Sequence, residues 1–170
     1  MRLTLPTCTV RSWRASDVES LVTYANNRAL WLNLRDRFPH PYTRRDGVEF
    51  LRSVVGKSPE TIFAMAVDDQ AVGSIGFVLQ PDVERVSAEI GYWLGEPFWG
   101  RGITTDALRA LTEYAFRRHA LSRLFALPFA SNRASCRVLE KAGYQLEARL
   151  RRSAIKNGEI VDQCQYSCVR

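Results

Sequence analysis

The chain has 170 residues, 46% of them hydrophobic and 25% charged, which is the composition of an ordinary globular protein rather than a disordered or repetitive one. The formal net charge is +6, but acidic residues are interspersed among the arginines without a block of like charge, and this disfavours nucleic acid as the partner. Neither a signal-peptide core nor a run of 18 apolar residues occurs, so we expect a soluble, cytoplasmic protein without a membrane partner.

The first third of the chain is predicted to contain one strand and several helices. Residues 8–14 have the pattern of a strand, and Ser16–Glu19 form a capping box that begins a helix. A short second helix is predicted over residues 28–35. Thr43 is expected to cap a third helix, which ends at Gly56.

The middle of the chain is predicted to be a β-meander. Three strands, at residues 61–67, 71–80 and 86–94, are joined by short turns. Because links this short cannot make a crossover connection, the strands are expected to be antiparallel.

The last part returns to alternating helices and strands. A helix is predicted after the glycine loop at residues 100–102, then a strand at 124–127 and a helix that Ser131-Asn132 begins. Residues 144–169 are predicted as a hairpin around a tight Asn157-Gly158 turn. The element order predicts a single α/β domain over residues 1–170 with a mixed sheet.

Residues 89–115 combine a strand, a glycine-punctuated loop and the start of an amphipathic helix. Gly100 and Gly102 leave the backbone bare where the helix begins, so several N–H groups can point at one bound anion. Glu89 supplies a lone carboxylate on the preceding strand. The combination predicts an enzyme that binds a phosphate-bearing cofactor and moves protons beside it. The alternative is that the two glycines only form a turn.

The four cysteines, Cys8, Cys136, Cys164 and Cys168, show neither zinc-ligand spacing nor a CxxC pair. We expect reduced, buried thiols and no bound metal.

Four stretches, in a characteristic order and spacing, carry a family resemblance. They are Arg11–Asp17, Phe38–Thr43, Ala88–Leu94 together with Trp99–Leu108, and Asn132–Tyr144. On these residues the chain resembles the GNAT acetyltransferase superfamily, and within it the bacterial ribosomal-protein N-acetyltransferases of the RimJ/RimL type. The resemblance covers about residues 8–169. It implies a GNAT-like α/β fold with a mixed, mostly antiparallel sheet of about six to seven strands and helices on both faces.

The resemblance implies acetyl-CoA as the cosubstrate, bound where the glycine loop enters the helix. The family pattern there is Gln/Arg-x-x-Gly-x-Gly/Ala, and this chain has Trp99-Gly100-Arg101-Gly102-Ile103-Thr104, which departs from the pattern at both ends. Backbone amides and the helix dipole would hold the pyrophosphate despite the first departure. Thr104 and Thr105 add hydroxyl donors. Further candidates for contact with the phosphates are Arg101, Arg133, Arg137 and Lys141.

By the same resemblance, the reacting end of the cofactor meets a strand and a helix start. Backbone groups of Tyr92, Trp93 and Leu94 would pair with the pantetheine arm, and an N–H there would stabilise the oxyanion. Asn132 and Ser135 match an Asn-x-x-Ser pattern that faces the thiol end. The alternative for Asn132 and Ser135 is helix capping, and Asn132 could do both.

Glu89 is the candidate general base, acting directly or through water, because an amine that attacks a thioester must lose protons. The alternative is that Glu89 pairs with an arginine or caps a neighbouring backbone. Many relatives have a tyrosine acid seven residues after the Asn, where this chain has Leu139, so Ser135 inherits the role or only orients the thiol. Some relatives use a carboxylate near the position of Ala154. Without it, Glu89 acts alone or the substrate class differs.

Aromatic residues before the third helix would, by the resemblance, line the cleft for the acceptor amine. They are Trp31, Phe38, His40 and Tyr42. Packing in a core or lid is the alternative for each of them.

The predicted function is transfer of an acetyl group from acetyl-CoA to a primary amine, at a protein N-terminus or on a small molecule, by direct attack in a ternary complex. Cys136 has no histidine partner in the sequence, which disfavours a covalent route. Alternatives are another acyl-CoA donor, an antibiotic or polyamine acceptor, or a non-catalytic acyl-CoA sensor. A homodimer is left open.

Overall fold

The computed structural model describes residues 1–170, which form one mostly antiparallel sheet of eight strands in the order β1-β2-β3-β4-β5-β6-β8-β7. The strands are β1 (Arg2–Thr4), β2 (Thr9–Arg11), β3 (Ile62–Val67), β4 (Gln70–Leu79), β5 (Ser87–Leu94), β6 (Arg123–Ala126), β7 (Gln145–Lys156) and β8 (Glu159–Val169). Strands β5 and β6 pair in parallel, and β6-β8 and β7-β8 are antiparallel. The predicted α/β class is confirmed, and the predicted number of strands is slightly too small. Strand β1 was missed because three residues are too few to show a hydrophobic period.

Five α-helices accompany the sheet. They are α1 (Val18–Ala25), α2 (Arg28–Trp31), α3 (Arg44–Val54), α4 (Ile103–Arg118) and α5 (Arg133–Lys141). Thr43 caps α3 as predicted: its Oγ1 accepts the backbone N–H of Asp46 at 3.4 Å, and its own backbone N–H donates to the Asp46 carboxylate at 2.7 Å. None of these helices combines the length and the apolar character that crossing a membrane requires.

The start of the first helical segment differs from the prediction. A 3-10 turn at Ala15–Asp17 precedes α1, and the backbone N–H of Arg14 donates to Asp17 at 2.8 Å. Asp17 therefore does what the Ser16–Glu19 pattern was expected to do. The expected pattern was wrong because Asp17 is also held by Arg11, a partner that local sequence spacing does not show.

The chain divides into two compact units. The first comprises Met1–Gly76 and Tyr92–Ala107, and the second comprises Phe77–Gly91 and Leu108–Arg170. Strands β4 and β5 each contribute residues to both.

The core of the first unit is built from α1, α2, α3 and the strands beside them. Its fully or nearly fully buried members include Trp13, Leu21, Leu30, Leu51 and Trp93. Each such side chain contributes roughly 1.5–3 kcal/mol by leaving water.

The long hairpin of β7 and β8 organises the second unit. Its turn residues, Asn157 and Gly158, have φ of +51° and +81°, which confirms the predicted tight turn. Register shifts interrupt the pairing between Leu146 and Ala148 and between Leu150 and Ala154. Arg152, inside the second shift, has φ +53°, a conformation that a β-bulge requires more often than a regular strand does.

Glu147 on β7 makes the fold sensitive to acid. Arg123 and the hydroxyl of Ser167 both donate to its carboxylate and lower its pKa from 4.5 to about 2. The ionised form therefore stabilises the folded chain above pH about 4.5, and this contribution disappears as the pH falls toward 2.

We expect Glu147→Gln to lower the free energy of unfolding at pH 7 by less than about 1 kcal/mol, because the pair is partly exposed. The difference from the unaltered chain should vanish near pH 2. Urea unfolding between pH 7 and pH 2 measures it, with Glu113→Gln, in an exposed α4 pair with Arg117, as the control. A constant difference across this range would contradict the assignment.

Candidate functional site

The glycine loop in the first unit has the backbone that its sequence predicts. Gly100 and Gly102 have φ of +74° and +79°, which strains any other residue, and both are exposed. A Cβ at Gly100 would meet nothing within 4 Å. The loop therefore needs glycine for its conformation and leaves open space beside the backbone.

Helix α4 begins directly after this loop. The N–H of Asp106 donates to the Gly102 carbonyl at 3.1 Å and closes the first turn, so the preceding amides have no intrahelical acceptor. The side chains of Ile103 and Thr105 are buried, and that of Thr104 is partly exposed. Ile103 and Thr105 can therefore offer an anion their backbone N–H groups rather than their side chains.

Trp99 connects the loop to the end of β5. Its indole Nε1 donates to the carbonyl oxygen of Leu94 at 2.6 Å, although 45% of the residue stays exposed. Next to it, the guanidinium of Arg101 lies 5.2 Å from the centre of the Phe98 ring. At the first position of the family pattern, this chain thus has Trp99, whose side chain fixes the loop to the end of β5.

The end of β5 offers backbone rather than side chains. The consecutive residues Trp93 and Leu94 are both buried, at 9% and 6% exposure, so the strand has no exposed face at this end. Tyr92 is partly buried. A ligand along this segment would meet main-chain N–H and C=O groups, which is the predicted mode of contact.

The four predicted cleft residues lie in the first unit and form two ring pairs. Trp31 and His40 stack with their centroids 5.7 Å apart, and Phe38 lies 5.0 Å from Tyr42. His40 is exposed, whereas Tyr42 is 4% exposed and burial raises its pKa to about 12. Tyr42 therefore belongs to the core. Of the two ring pairs, the one that contains His40 is accessible to solvent.

In the second unit, Glu89 lies on β5 in register with Phe125 of the parallel strand β6. Its neighbours Ala88 and Ile90 are buried, while Glu89 itself is partly exposed. The carboxylate is thus fixed on a strand rather than carried on a loop.

Asn132 and Ser135 begin α5. Asn132 is the N-cap, and its Oδ1 accepts the backbone N–H of Ser135 at 3.1 Å. The capping role that the sequence left open is therefore present. Leu139, one turn further, is completely buried and offers no proton donor.

The cysteines are free, and none has the environment of a nucleophile. Burial raises the pKa of Cys136, and it raises that of Cys8 to about 11. A thiol needs a lowered pKa to react readily near neutrality.

His119 packs edge-on against Phe77, at 5.1 Å, and burial lowers its pKa. Nowhere do three or more His, Cys, Asp or Glu residues form a group that could hold a metal ion.

A surface cleft of about 350 Å³ lies in the second unit, between the start of α5 and the β7-β8 hairpin. Its lining includes Ser131, Arg133, Arg149, Ile160, Val161 and Asp162. Sequence reasoning singled out only Arg133, as a phosphate ligand. The dense arginines of β7 were the available signal, but only the folded hairpin shows that they meet α5.

Comparisons with known proteins show the family of this chain. Residues 8–145 match the sequence model of the family described as acetyltransferase (GNAT) domain. The uncharacterized N-acetyltransferase p20 of Bacillus licheniformis is 26% identical over 95% of this chain and 92% of its own. The ribosomal-protein-serine acetyltransferase of Escherichia coli is 30% identical over 62% of this chain and 59% of its own.

Among solved structures, the ribosomal L7/L12 α-N-protein acetyltransferase RimL in complex with coenzyme A superimposes with a TM-score of 0.87 at 22% identity. The superposition covers 99% of this chain and 98% of that one. At this identity the likeness establishes the fold.

Proposed function

Because this chain belongs to the GNAT acetyltransferase family, we propose that it transfers the acetyl group of acetyl-CoA to a primary amine, at a protein N-terminus or on a small molecule. The observation that carries the proposal is the glycine loop that opens α4, with positive φ at both Gly100 and Gly102. The relative named ribosomal-protein-serine acetyltransferase favours a protein acceptor.

The loop residues fit the phosphates of acetyl-CoA. The backbone N–H groups from Gly102 to Thr105 precede the first intrahelical hydrogen bond, and the positive end of the helix dipole adds to their attraction for an anion. Arg101 adds a full positive charge beside them. The segment Tyr92–Leu94 would pair with the pantetheine arm through its main chain, because two of its three side chains are buried.

When bound, acetyl-CoA supplies an activated thioester whose acyl group an uncharged amine can accept. We assign the removal of the amine proton to Glu89, directly or through one water, because its partly exposed carboxylate stands on β5, the strand that continues into Tyr92–Leu94. A backbone N–H of Tyr92–Leu94 would stabilise the negative charge that develops on the acyl oxygen.

The leaving thiolate needs a proton that Leu139 cannot supply. Ser135 has the one side-chain hydroxyl on α5, and Asn132 accepts its backbone N–H and so holds the first turn in place. We assign Ser135 the orientation of the thiol or of a water that protonates it. Burial raises the pKa of the Cys8, Cys136 and Cys168 thiols, which disfavours a covalent route, so we expect the amine to attack in a ternary complex.

The test is release of CoA from acetyl-CoA in the presence of an amine panel containing N-terminal peptides, polyamines and aminoglycosides. We expect release, and a product heavier by one acetyl group, with at least one amine. Gly102→Val should abolish both cofactor binding and release, because valine at φ +79° is strained.

Other outcomes separate the alternatives. Tight CoA binding without turnover on any amine would support a non-catalytic sensor. Faster turnover with a longer acyl-CoA would show that the acyl donor is not acetyl-CoA. Absence of CoA binding would contradict the proposal as a whole.

A further inference from the structure

The cleft between α5 and the β7-β8 hairpin has a positively charged lining. Arg133 and Arg149 both line it, and Asp162 is the one carboxylate among the lining residues. Arg133 is exposed and makes no hydrogen bond or ion pair with another side chain. A cation that no protein group neutralises is free to meet a ligand.

Asp162 is already occupied by partners within the hairpin. It accepts Arg149 Nε at 2.8 Å and the backbone N–H of Arg152 at 2.8 Å. These contacts, with the nearby charge of Arg151, lower its pKa below the ordinary value. Asp162 therefore holds the bulge and Arg149 in place, and the positive charges around the cleft exceed the negative.

Apart from the hydroxyl residue Ser131, the remaining lining residues are apolar. Val161 and Ile160 lie on β8, and Ile160 is 52% exposed at the cleft. The volume of about 350 Å³ is within the range of small-ligand sites, roughly 300–1,000 Å³. An apolar wall beside the unpaired guanidinium group of Arg133, with Arg149 held close by Asp162, suits a ligand whose carboxylate or phosphate stands on a short apolar or peptide chain.

The cleft begins at the turn that we assign to the reacting end of the cofactor. Asn132 stands between Ser131 and Arg133, which both line the cleft, and Ser135 follows in the first turn of α5. In CoA the thiol and the pyrophosphate are at opposite ends of the pantetheine arm. An anion held beside Asn132 is therefore better explained as part of the acceptor than as a cofactor phosphate.

We propose that this cleft binds an anionic group, a carboxylate or a phosphate, that the acceptor carries next to its reactive amine, and that Arg133 and Arg149 determine this specificity. The inference rests on the proposed function and adds the substrate class: amines with a negative charge close to the nitrogen.

The experiment compares matched peptides with a free N-terminal serine. One peptide has Asp and Glu at the second and third positions, one has Asn and Gln there, and one has phosphoserine at the second position. We expect a KM at least about tenfold lower for a charged peptide than for the amide peptide, because a charge-assisted hydrogen bond is made only with the charged group. The preferred charged peptide identifies the anion, and the preference should weaken with salt.

Arg133→Gln should raise the KM for the preferred charged peptide about tenfold, while kcat, the KM for acetyl-CoA and the KM for the amide peptide stay unchanged. Arg149→Gln should act in the same direction. Arg117→Gln, which removes an exposed arginine paired with Glu113 on α4, is the control and should change nothing. Thermal unfolding verifies that the variants fold.

Equal KM values for charged and amide peptides would overturn the inference and leave the acetyltransferase intact. A raised KM for acetyl-CoA in Arg133→Gln would also overturn it, because Arg133 would then hold a cofactor phosphate. If no peptide is acetylated, the binding of the charged peptides in the presence of CoA, measured by calorimetry, still tests whether the cleft recognises the anion. Binding about tenfold weaker in Arg133→Gln supports the cleft, and equal binding refutes it.

Discussion

Glu89→Gln is expected to lower kcat by about 10²-fold or more, with little change in the KM for acetyl-CoA. Glutamine has the shape of glutamate and keeps its place on β5, opposite Phe125, but it cannot accept the proton that the amine must lose. The flanking residues Ala88 and Ile90 are buried, so the strand should hold either side chain in the same position. The loss should therefore fall on the chemical step rather than on cofactor binding.

Steady-state kinetics with the best amine of the panel measures this effect, and raising the pH should partly rescue the variant as more of the amine becomes uncharged. Glu113→Gln, on the exposed side of α4, is the matched control. A Glu89→Gln enzyme with at least half of the original kcat would show that another group or bulk water is the base. A loss confined to the KM for the amine would make Glu89 a binding residue.

Asp17→Ala is expected to lower the free energy of unfolding by about 3–5 kcal/mol, which is the effect of removing one partner from a buried ion pair. Arg11 and Asp17 are only 2% and 6% exposed, and two parallel hydrogen bonds of 2.8 Å join them. Arg11 also donates to the backbone carbonyl of Asp69 at 2.8 Å. Without Asp17, a guanidinium that cannot lose its proton would stay in the core with too few acceptors.

Urea unfolding at pH 7 measures the change. Glu49→Ala, which breaks the exposed pair with Arg45 on α3, is the control and should lower the free energy of unfolding by at most about 0.5 kcal/mol. The double variant Arg11→Met, Asp17→Leu should recover most of the stability, since burying two apolar groups removes the unpaired charge. A single variant Asp17→Ala that unfolds within about 1 kcal/mol of the original chain would contradict the interpretation.

The parts of the fold that the sequence predicts well are those set by local chemistry. The hairpin turn at Asn157-Gly158 and the capping of α3 by Thr43 depend on neighbouring residues, and both were predicted correctly. The role of Asp17 was missed because it depends on Arg11, which lies on a different element. In the same way, spacing alone cannot reveal that Tyr42 is buried.

The candidate site shows the same division. The positive φ of Gly100 and Gly102 follows from the need for glycine in such a loop, so sequence could suggest it. The cleft beside Arg133 depends on how the β7-β8 hairpin packs near the start of α5, a contact that no local pattern encodes. A local motif thus suggests the proposed cofactor loop, whereas the proposed acceptor cleft becomes visible only from the packing of the folded chain.

The hydrogen bond from Trp99 to the Leu94 carbonyl fixes the spacing between the two segments that we assign to acetyl-CoA. It fastens the loop assigned to the phosphates to the strand assigned to the pantetheine arm before any ligand arrives. Ordering that is complete in the free protein need not be repeated on binding, so less affinity is lost to entropy. The two contacts then act as one clamp with a set span. Shortened CoA analogues that contact only the loop or only the strand would gain little affinity from this fixed spacing.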